Sequence, residues 1–407
     1  MDEIKCGGKT YRIIRQPSHG GMGIIYPAED VSSGQKVAIK TPRTTGSPQE
    51  DRYRIERVIV EGRILSILNH PHIVKLVYSS YDPIPMLVME YIEGPSFYRA
   101  HCGKPLNEKA LVSWASQVLD AVGYLHNLNI VHRDINPNNI LFLSKEKIAK
   151  QIDFGTAKYY YLQSTKEGDP VWPVTPGFTA PEQELYGLSS MSTDIYSTAA
   201  TLYFLCTGKN PRDCFKGKSI IPPSKLNSEI SERISEDVLT GMNPNSSLRY
   251  ATANDFLMAL QGIAPTHLHE PYLIAGGGVH KIREGIEIGR RHEKCPGCIH
   301  TRYNRVDIQD PFYYVHRHHS IVYRKGPNYA IEFIGDKNNV HLIYTDPQGK
   351  LVVKKIERGK LFFLRDGDQI ALCYDDRLGP YVLIRFFDPT QRSPTEAKGG
   401  AHVLYAS

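Results

Sequence analysis

Between two strand-like runs of this 407-residue chain, the stretch Ser18-His-Gly-Gly-Met-Gly-Ile-Ile-Tyr26 sets Gly20, Gly21 and Gly23 close together. Backbone N–H groups can approach a phosphate closely only where no side chain intervenes, so this stretch could cradle one. Glycine-rich hairpin turns are common, and taken alone the stretch reads equally well as one. A second pattern is Cys295-Pro-Gly-Cys298, flanked by His292 and His300. Two thiolates and two imidazoles could ligate Zn²⁺ tetrahedrally. The same pair could also be a redox couple or plain loop cysteines.

These residues need elements to hold them. Residues 10–42 alternate with period two, through Tyr11-Arg-Ile-Ile-Arg15, Ile24-Ile-Tyr26 and Lys36-Val-Ala-Ile-Lys40, which predicts strands of a sheet. Ile55, Val58, Ile59, Ile64, Leu65 and Leu68 follow helical spacing, and Ile73–Tyr78 and Met86–Tyr91 read as further strands. After Gly94 the pattern turns helical. Asn107 is a natural N-cap for a helix whose face carries Leu111, Trp114, Ala115, Val118, Leu119, Val122 and Leu125. Helices are also expected over Asp194–Thr207, Ile230–Thr240 and Thr252–Leu260. Helical spacing stops near 263–271, and short apolar runs between turns then predict an all-β region to about 387. The last twenty residues, rich in Pro, Thr, Ser, Gly and Ala, read as a loose tail.

Further motifs follow in order: Val37-Ala-Ile-Lys40, Glu61 on the next helix, Met89-Glu-Tyr91, His132-Arg-Asp-Ile-Asn-Pro-Asn-Asn139, Asp153-Phe-Gly155 and Ala180-Pro-Glu182. Together they resemble the signature set of protein kinases over residues 10–262. The resemblance implies a two-lobed fold using ATP and Mg²⁺ (or Mn²⁺). In it Lys40 would hold the α/β-phosphates and pair with Glu61, Asp134 would accept the substrate hydroxyl proton, and Asn139 and Asp153 would ligate the metal. Gly20, Gly21, Gly23, Ile25, Ala38 and Lys40 would line the nucleotide site. Met89 would be the gatekeeper, with Glu90 and Tyr91 as hinge. Glu182 resembles the glutamate that pairs with Arg249. Two positions depart from the family: Ser18 occupies the first-glycine slot, and Asn136 stands where most Ser/Thr kinases carry a lysine touching the γ-phosphate. Losing that cation predicts a slower enzyme. Thr175 in Thr-Pro-Gly-Phe178 resembles a Ser/Thr-type acceptor loop. Arg133 before the catalytic aspartate suggests an activation segment switched by phosphate, with Ser164 and Thr165 as acceptors.

Beyond a linker over 263–271, Gly289-Arg290, Asp310–His319, Ile334–Asn339 and Leu364–Leu372 resemble, in order and spacing, forkhead-associated (FHA) domains over 272–387. Those are β-sandwiches that bind phosphothreonine on loops at one edge. The resemblance makes Arg290 a phosphate contact, Arg317 a second one, His319 an internal support of the loop and Asn338 a ligand of the peptide backbone. His316 replaces the usual phosphate-binding serine and Asn339 the usual glycine. His316 could donate to phosphate, more strongly once protonated, or could fill the pocket.

Composition agrees with this α+β reading of a kinase fold followed by an all-β sandwich, with a flexible tail over 388–407. At 41% hydrophobic and 23% charged the chain is ordinary globular protein, too long for one core. Its longest apolar run, near Ala199–Cys206, is well short of the ~18 residues a membrane helix needs. The opening Met1–Gly8 carries no apolar signal region. Seven cysteines, scattered apart from one pair, suit a reducing compartment, so a soluble cytoplasmic protein is expected. Residues 1–262 carry net charge +1 and the rest +5. That excess suits an anionic partner, and phosphopeptide is preferred to nucleic acid because no nucleic-acid module is present. Expected partners are protein substrates and a phosphothreonine segment, from another protein or from this chain. The competing reading is a pseudokinase scaffold whose FHA domain does the binding.

Overall fold

The structure is a computed structural model. It describes residues 3–20, 23–143, 146–159, 174–216, 219–263, 271–275, 278–282, 284–290, 304–308, 319–326, 328–335, 340–345, 351–365, 368–375 and 379–388.

The first lobe is a seven-stranded sheet with one long helix. Its strands are β1 (Glu3–Cys6), β2 (Lys9–Ile13), β3 (Ser18–His19), β4 (Gly23–Asp30), β5 (Lys36–Pro42), β6 (Leu76–Ser80) and β7 (Met86–Glu90), in the order β1-β2-β4-β5-β7-β6 with β3 on β4. Period-two alternation sorts β5 into two faces. Val37 and Ile39 enter a core with Tyr11, Ala28 and Val88. Ala38 and Lys40 face the other way, and register puts Ile25 opposite Lys40 and Met89 opposite Ala38. Ile25, Ala38, Lys40 and Met89 therefore share one sheet face. Helix α1 (Pro48–Leu65) starts on a proline, carries Glu50 and Asp51 in its first turn, and buries Val58, Glu61, Ile64 and Leu65. Two boundaries differ from the sequence reading. β1 adds a strand before residue 10. Ile73 only bridges Gln151, and the strand begins at Leu76.

The second lobe is helical: α2 (Phe97–His101), α3 (Glu108–Asn127), α4 (Pro181–Tyr186), α5 (Met191–Thr207), α6 (Pro223–Leu226), α7 (Glu232–Gly241) and α8 (Ala253–Leu260). Asn107 caps α3, its Oδ1 accepting from Ala110 N at 2.9 Å. Every residue of α5 from Ser192 to Thr207 is buried, and Thr193, Thr201 and Thr207 turn their hydroxyls onto backbone carbonyls. Gly208 ends it at φ 68°, where a Cβ would come within 2.8 Å of Lys104 N. Between the helices lie short strand pairs, β8 (Ile130–Val131) with β11 (Lys158–Tyr159), β9 (Ile140–Leu143) with β10 (Ile148–Gln151), and β12 (Phe215–Lys216) with β13 (Ser219–Ile220).

The C-terminal region is a β-sandwich. Strands β14 (Tyr272–Ala275), β15 (Gly278–Lys281), β20 (Val340–Thr345), β21 (Leu351–Ile356), β23 (Gln369–Asp375) and β24 (Gly379–Phe387) form a sheet ordered β15-β14-β24-β23-β20-β21. Strands β16 (Gly285–Arg290), β17 (Asn304–Ile308), β18 (Ser320–Lys325), β19 (Asn328–Phe333) and β22 (Leu361–Leu364) form the other, ordered β17-β16-β18-β19-β22. Alternating Ile286, Ile288, Val322, Ile331, Leu342, Ile370, Leu372, Ile384 and Phe386 fill the space between. On β20, Ile343 is out of phase with the inner residues; it packs with Ala371 and with Val131 of β8.

Candidate active site

Lys40 is 3% exposed, and its Nζ stands 2.7 Å from Glu61 Oε2 and 2.9 Å from Asp153 Oδ1. Burial alone would lower the lysine pKa, but the two carboxylates outweigh it and hold the ammonium well above its usual range. Burial likewise opposes ionisation of Asp153, yet the Lys40 ammonium keeps that carboxyl below its usual range. Asp153 takes a left-handed φ of 64°, which turns Phe154 N toward Glu61 Oε1 at 3.2 Å and Gly155 N back to Asp153 Oδ1 at 3.2 Å. Gly23 is required for packing: a Cβ there would come within 2.5 Å of Thr41 O. Gly20 N donates to Gly23 O at 2.9 Å, closing the turn. Gly21 lies outside the described residues.

Asp134 accepts from Asn139 Nδ2 at 2.9 Å, from Asn136 Nδ2 at 2.8 Å and from Thr175 Oγ1 at 2.7 Å. Burial pushes its pKa up to about 6, against the pull of those hydrogen bonds. A base must be ionised to accept a proton, so kcat/KM for phosphoryl transfer is expected to fall as pH drops below about 6. A profile flat to pH 5 would place the proton acceptor elsewhere.

The loop His132–Asn139 hangs from Asp194, which is fully buried in α5. Asp194 Oδ2 accepts from His132 N at 2.8 Å, and Oδ1 accepts from Arg133 N at 2.9 Å. His126 Nε2, in the last turn of α3, is 3.0 Å from Oδ2. The sequence reading named Asp194 only as a helix start and passed over His126. The available signal was only that an aspartate on a buried helix must be paired; which residues pair with it is set by packing. Glu182, in the first turn of α4, and Arg249 form a two-pronged pair, Nη1–Oε1 2.6 Å and Nη2–Oε2 2.8 Å.

Met89, Glu90 and Tyr91, the expected hinge, differ in setting. Met89 is 6% exposed on the sheet face shared with Ala38. The Glu90 side chain is turned away, accepting from Lys150 Nζ at 2.6 Å and Lys75 N at 2.8 Å, which leaves only its backbone for a nucleotide. Tyr91 OH accepts from Arg15 Nη1 at 3.2 Å.

Asn139 Nδ2 is spent on Asp134, and Asp153 Oδ1 on Lys40 and Gly155. Asn139 Oδ1 and Asp153 Oδ2 make no hydrogen bond among the described residues. Two hard oxygens beside a buried ammonium fit the donor chemistry of Mg²⁺ or Mn²⁺. Among the described residues no group of three or more His, Cys, Asp or Glu is arranged to hold a metal on its own. Cys295, Cys298, Ser164, Thr165, His316, Arg317 and Asn338 lie outside the described residues, and Arg290 is described only as the end of β16.

Two lobes meeting at a lysine–carboxylate cluster, with Asp134 on a loop between them, match the architecture of nucleotide-dependent phosphotransferases. A protein kinase domain is matched over residues 11–259, more than half of the chain, and this chain belongs to the protein kinase family. It is similar to the serine/threonine-protein kinase Pkn1 of Myxococcus xanthus, 31% identical over 280 residues, 65% of this chain and 39% of that one. It is also similar to the serine/threonine-protein kinase PrkC of Bacillus subtilis, 32% identical over 256 residues, 60% of this chain and 39% of the other. Serine/threonine-protein kinase pkn2 of M. xanthus is 31% identical over 218 residues, 52% and 26% of the two chains. The matched stretch thus spans at most 39% of these relatives.

Proposed function

We propose that this chain is an ATP- and Mg²⁺-dependent protein serine/threonine kinase whose C-terminal sandwich is an FHA-type reader of phosphothreonine. The observation that carries the first half is Lys40 held by Glu61 and Asp153 together with Asp134 accepting from Thr175. Mg·ATP, when bound, supplies the phosphoryl group. Lys40 and the glycine-rich turn would hold its phosphates, with Asn139 and Asp153 on the metal. Asp134 orients the acceptor hydroxyl and takes its proton, and the hydroxyl of Thr175 marks where a serine or threonine side chain would lie.

Support for the second half comes from topology. β16 and β17 run parallel, β18 runs against both β16 and β19, and the outgoing ends of β16, β17 and β19 meet the incoming end of β18. The described strand ends that flank His316, Arg317 and Asn338 thus gather with Arg290 at one end of the sheet. His319 ties that end together: its N–H donates to Ile288 O at 2.9 Å and its carbonyl accepts from Ile334 and Gly335 N at 3.0 Å. The kinase would phosphorylate Ser164 or Thr165 in its own activation segment, and Arg133 would bind that phosphate. Cytoplasmic residence belongs to the same proposal; no helix among the described residues is long and apolar enough to cross a membrane.

Incubation with γ-labelled ATP, Mg²⁺ and casein, followed by phosphoamino-acid analysis, is expected to yield phosphoserine and phosphothreonine. Phosphotyrosine alone would overturn the specificity. Nucleotide binding without transfer would leave the scaffold reading, which the missing cation at Asn136 favours. Calorimetric titration with a phosphothreonine peptide and its unphosphorylated twin tests the sandwich. Equal affinity for both, or no loss on Arg290→Ala, would remove the FHA assignment.

A further inference from the structure

We propose that Asn136 is a positioning residue for Asp134, holding the base by a neutral, backbone-locked hydrogen bond where the family's lysine would supply a charge. The inference rests on the kinase reading above.

Asn136 is 3% exposed. Asn138 N donates to its Oδ1 at 2.9 Å, and Asn139 N donates to its backbone O at 3.0 Å, so the residue heads a tight turn. A backbone N–H can only donate, so the amide oxygen must face Asn138 and the Nδ2 must face Asp134. From there Nδ2 reaches Asp134 Oδ1 at 2.8 Å and Asp134 O at 3.2 Å. Asn139 grips the same residue from the other side, Nδ2 to Oδ2 at 2.9 Å and to O at 3.0 Å. Two asparagines three residues apart thus clamp both carboxylate oxygens, and Thr175 adds a third donor.

A lysine has no acceptor and could not satisfy the Asn138 N–H, so this turn would have to be held differently in a lysine-bearing loop. Asparagine has both donor and acceptor on a short stem with little freedom to lose. What is given up is a cation near the transferred group; what is kept is the orientation of the base, to which transfer rates are steeply sensitive.

Three variants separate this role from filling space. Asn136→Ala removes the clamp. Asn136→Asp is isosteric but has no N–H and sets a carboxylate against Asp134. Asn136→Lys regains a donor. With γ-labelled ATP and casein, the Ala and Asp variants are expected to lose about 10- to 100-fold in kcat. KM for ATP and nucleotide affinity measured without turnover should stay within about twofold, and Tm within about 2 °C. Asn136→Lys, which regains a donor but not the acceptor for Asn138 N–H, should lose less kcat than Asn136→Ala. Ala or Asp variants within about twofold of wild-type kcat would overturn the inference, as would a fall in Tm and nucleotide affinity matching the fall in rate, or a Lys variant as impaired as the Ala variant. Failure of the wild type itself to transfer phosphate overturns the kinase reading and this inference with it. Wild-type transfer with an unimpaired Asn136→Ala overturns this inference alone.

Discussion

Substituting Asn for Asp134 is expected to cut phosphoryl transfer by about 10²–10⁴-fold, the range for losing a positioned general base. Nucleotide affinity should change little, because Lys40, Glu61 and Asp153 form their own cluster without touching the Asp134 side chain. The carboxylate now takes three hydrogen bonds, two of them from the amides of Asn136 and Asn139. An amide at 134 offers one oxygen and one N–H₂, so it must set a donor against one of those donors. Thr175 can adapt by rotating its hydroxyl; the asparagines cannot. The variant therefore loses both basicity and alignment, and should be no more active than Asp134→Ala. Single-turnover transfer from γ-labelled ATP, beside equilibrium nucleotide binding, reads the two effects apart. Transfer above a tenth of wild type would mean that the proton leaves by another route.

The largest loss of stability is expected at Arg249. Its guanidinium side chain is 0% exposed and pairs with Glu182 through both nitrogens. It also donates to Asn243 O at 2.6 Å, Ser192 O at 2.9 Å and Pro244 O at 3.1 Å, and lies 4.9 Å over the Tyr196 ring. Arg249→Met fills similar space but leaves three carbonyls and a carboxylate without their donor. Breaking a buried pair from one side costs about 3–5 kcal/mol. Glu182 is 22% exposed, so water can reach part of the orphaned charge, and a value near the lower end, about 3 kcal/mol, is expected. Glu182→Gln should cost less, since an amide oxygen still accepts from the arginine. Urea unfolding followed by tryptophan fluorescence measures both. A loss below about 1 kcal/mol for Arg249→Met would show that the lobe repacks around the gap.

The parts legible in the sequence were those whose chemistry is local. His132–Asn139 and Asp153–Gly155 keep key contacts local: Asn136 and Asn139 reach Asp134 within five residues, and Gly155 N turns back to Asp153. Strand alternation in Lys36–Lys40 marked a strand, and Asn107 was readable as a cap from residue type alone. What escaped depends on pairs brought together only by packing. Nothing near Glu90 shows that its carboxylate is claimed by Lys150, sixty residues on, and nothing near Thr175 shows that its hydroxyl reaches Asp134, forty-one residues back. Asp194 belongs to the same class, its partners lying sixty-one to sixty-eight positions away. The strand Glu3–Cys6 was too short and too polar to show period two, and forms because β2 offers it an edge.

The sandwich has its first strand stitched to its last: Tyr272 is paired with Phe387, Leu273 with Phe386 and Ile274 with Arg385. On a ribosome, β14 must therefore wait, with one flank bare, until residue 387 has emerged, while the strand partners of the first lobe's sheet are all present long before. Entry and exit of the domain share a seam, so any tether or fusion added after residue 388 would begin beside Tyr272, where the first strand starts, rather than at a remote tip.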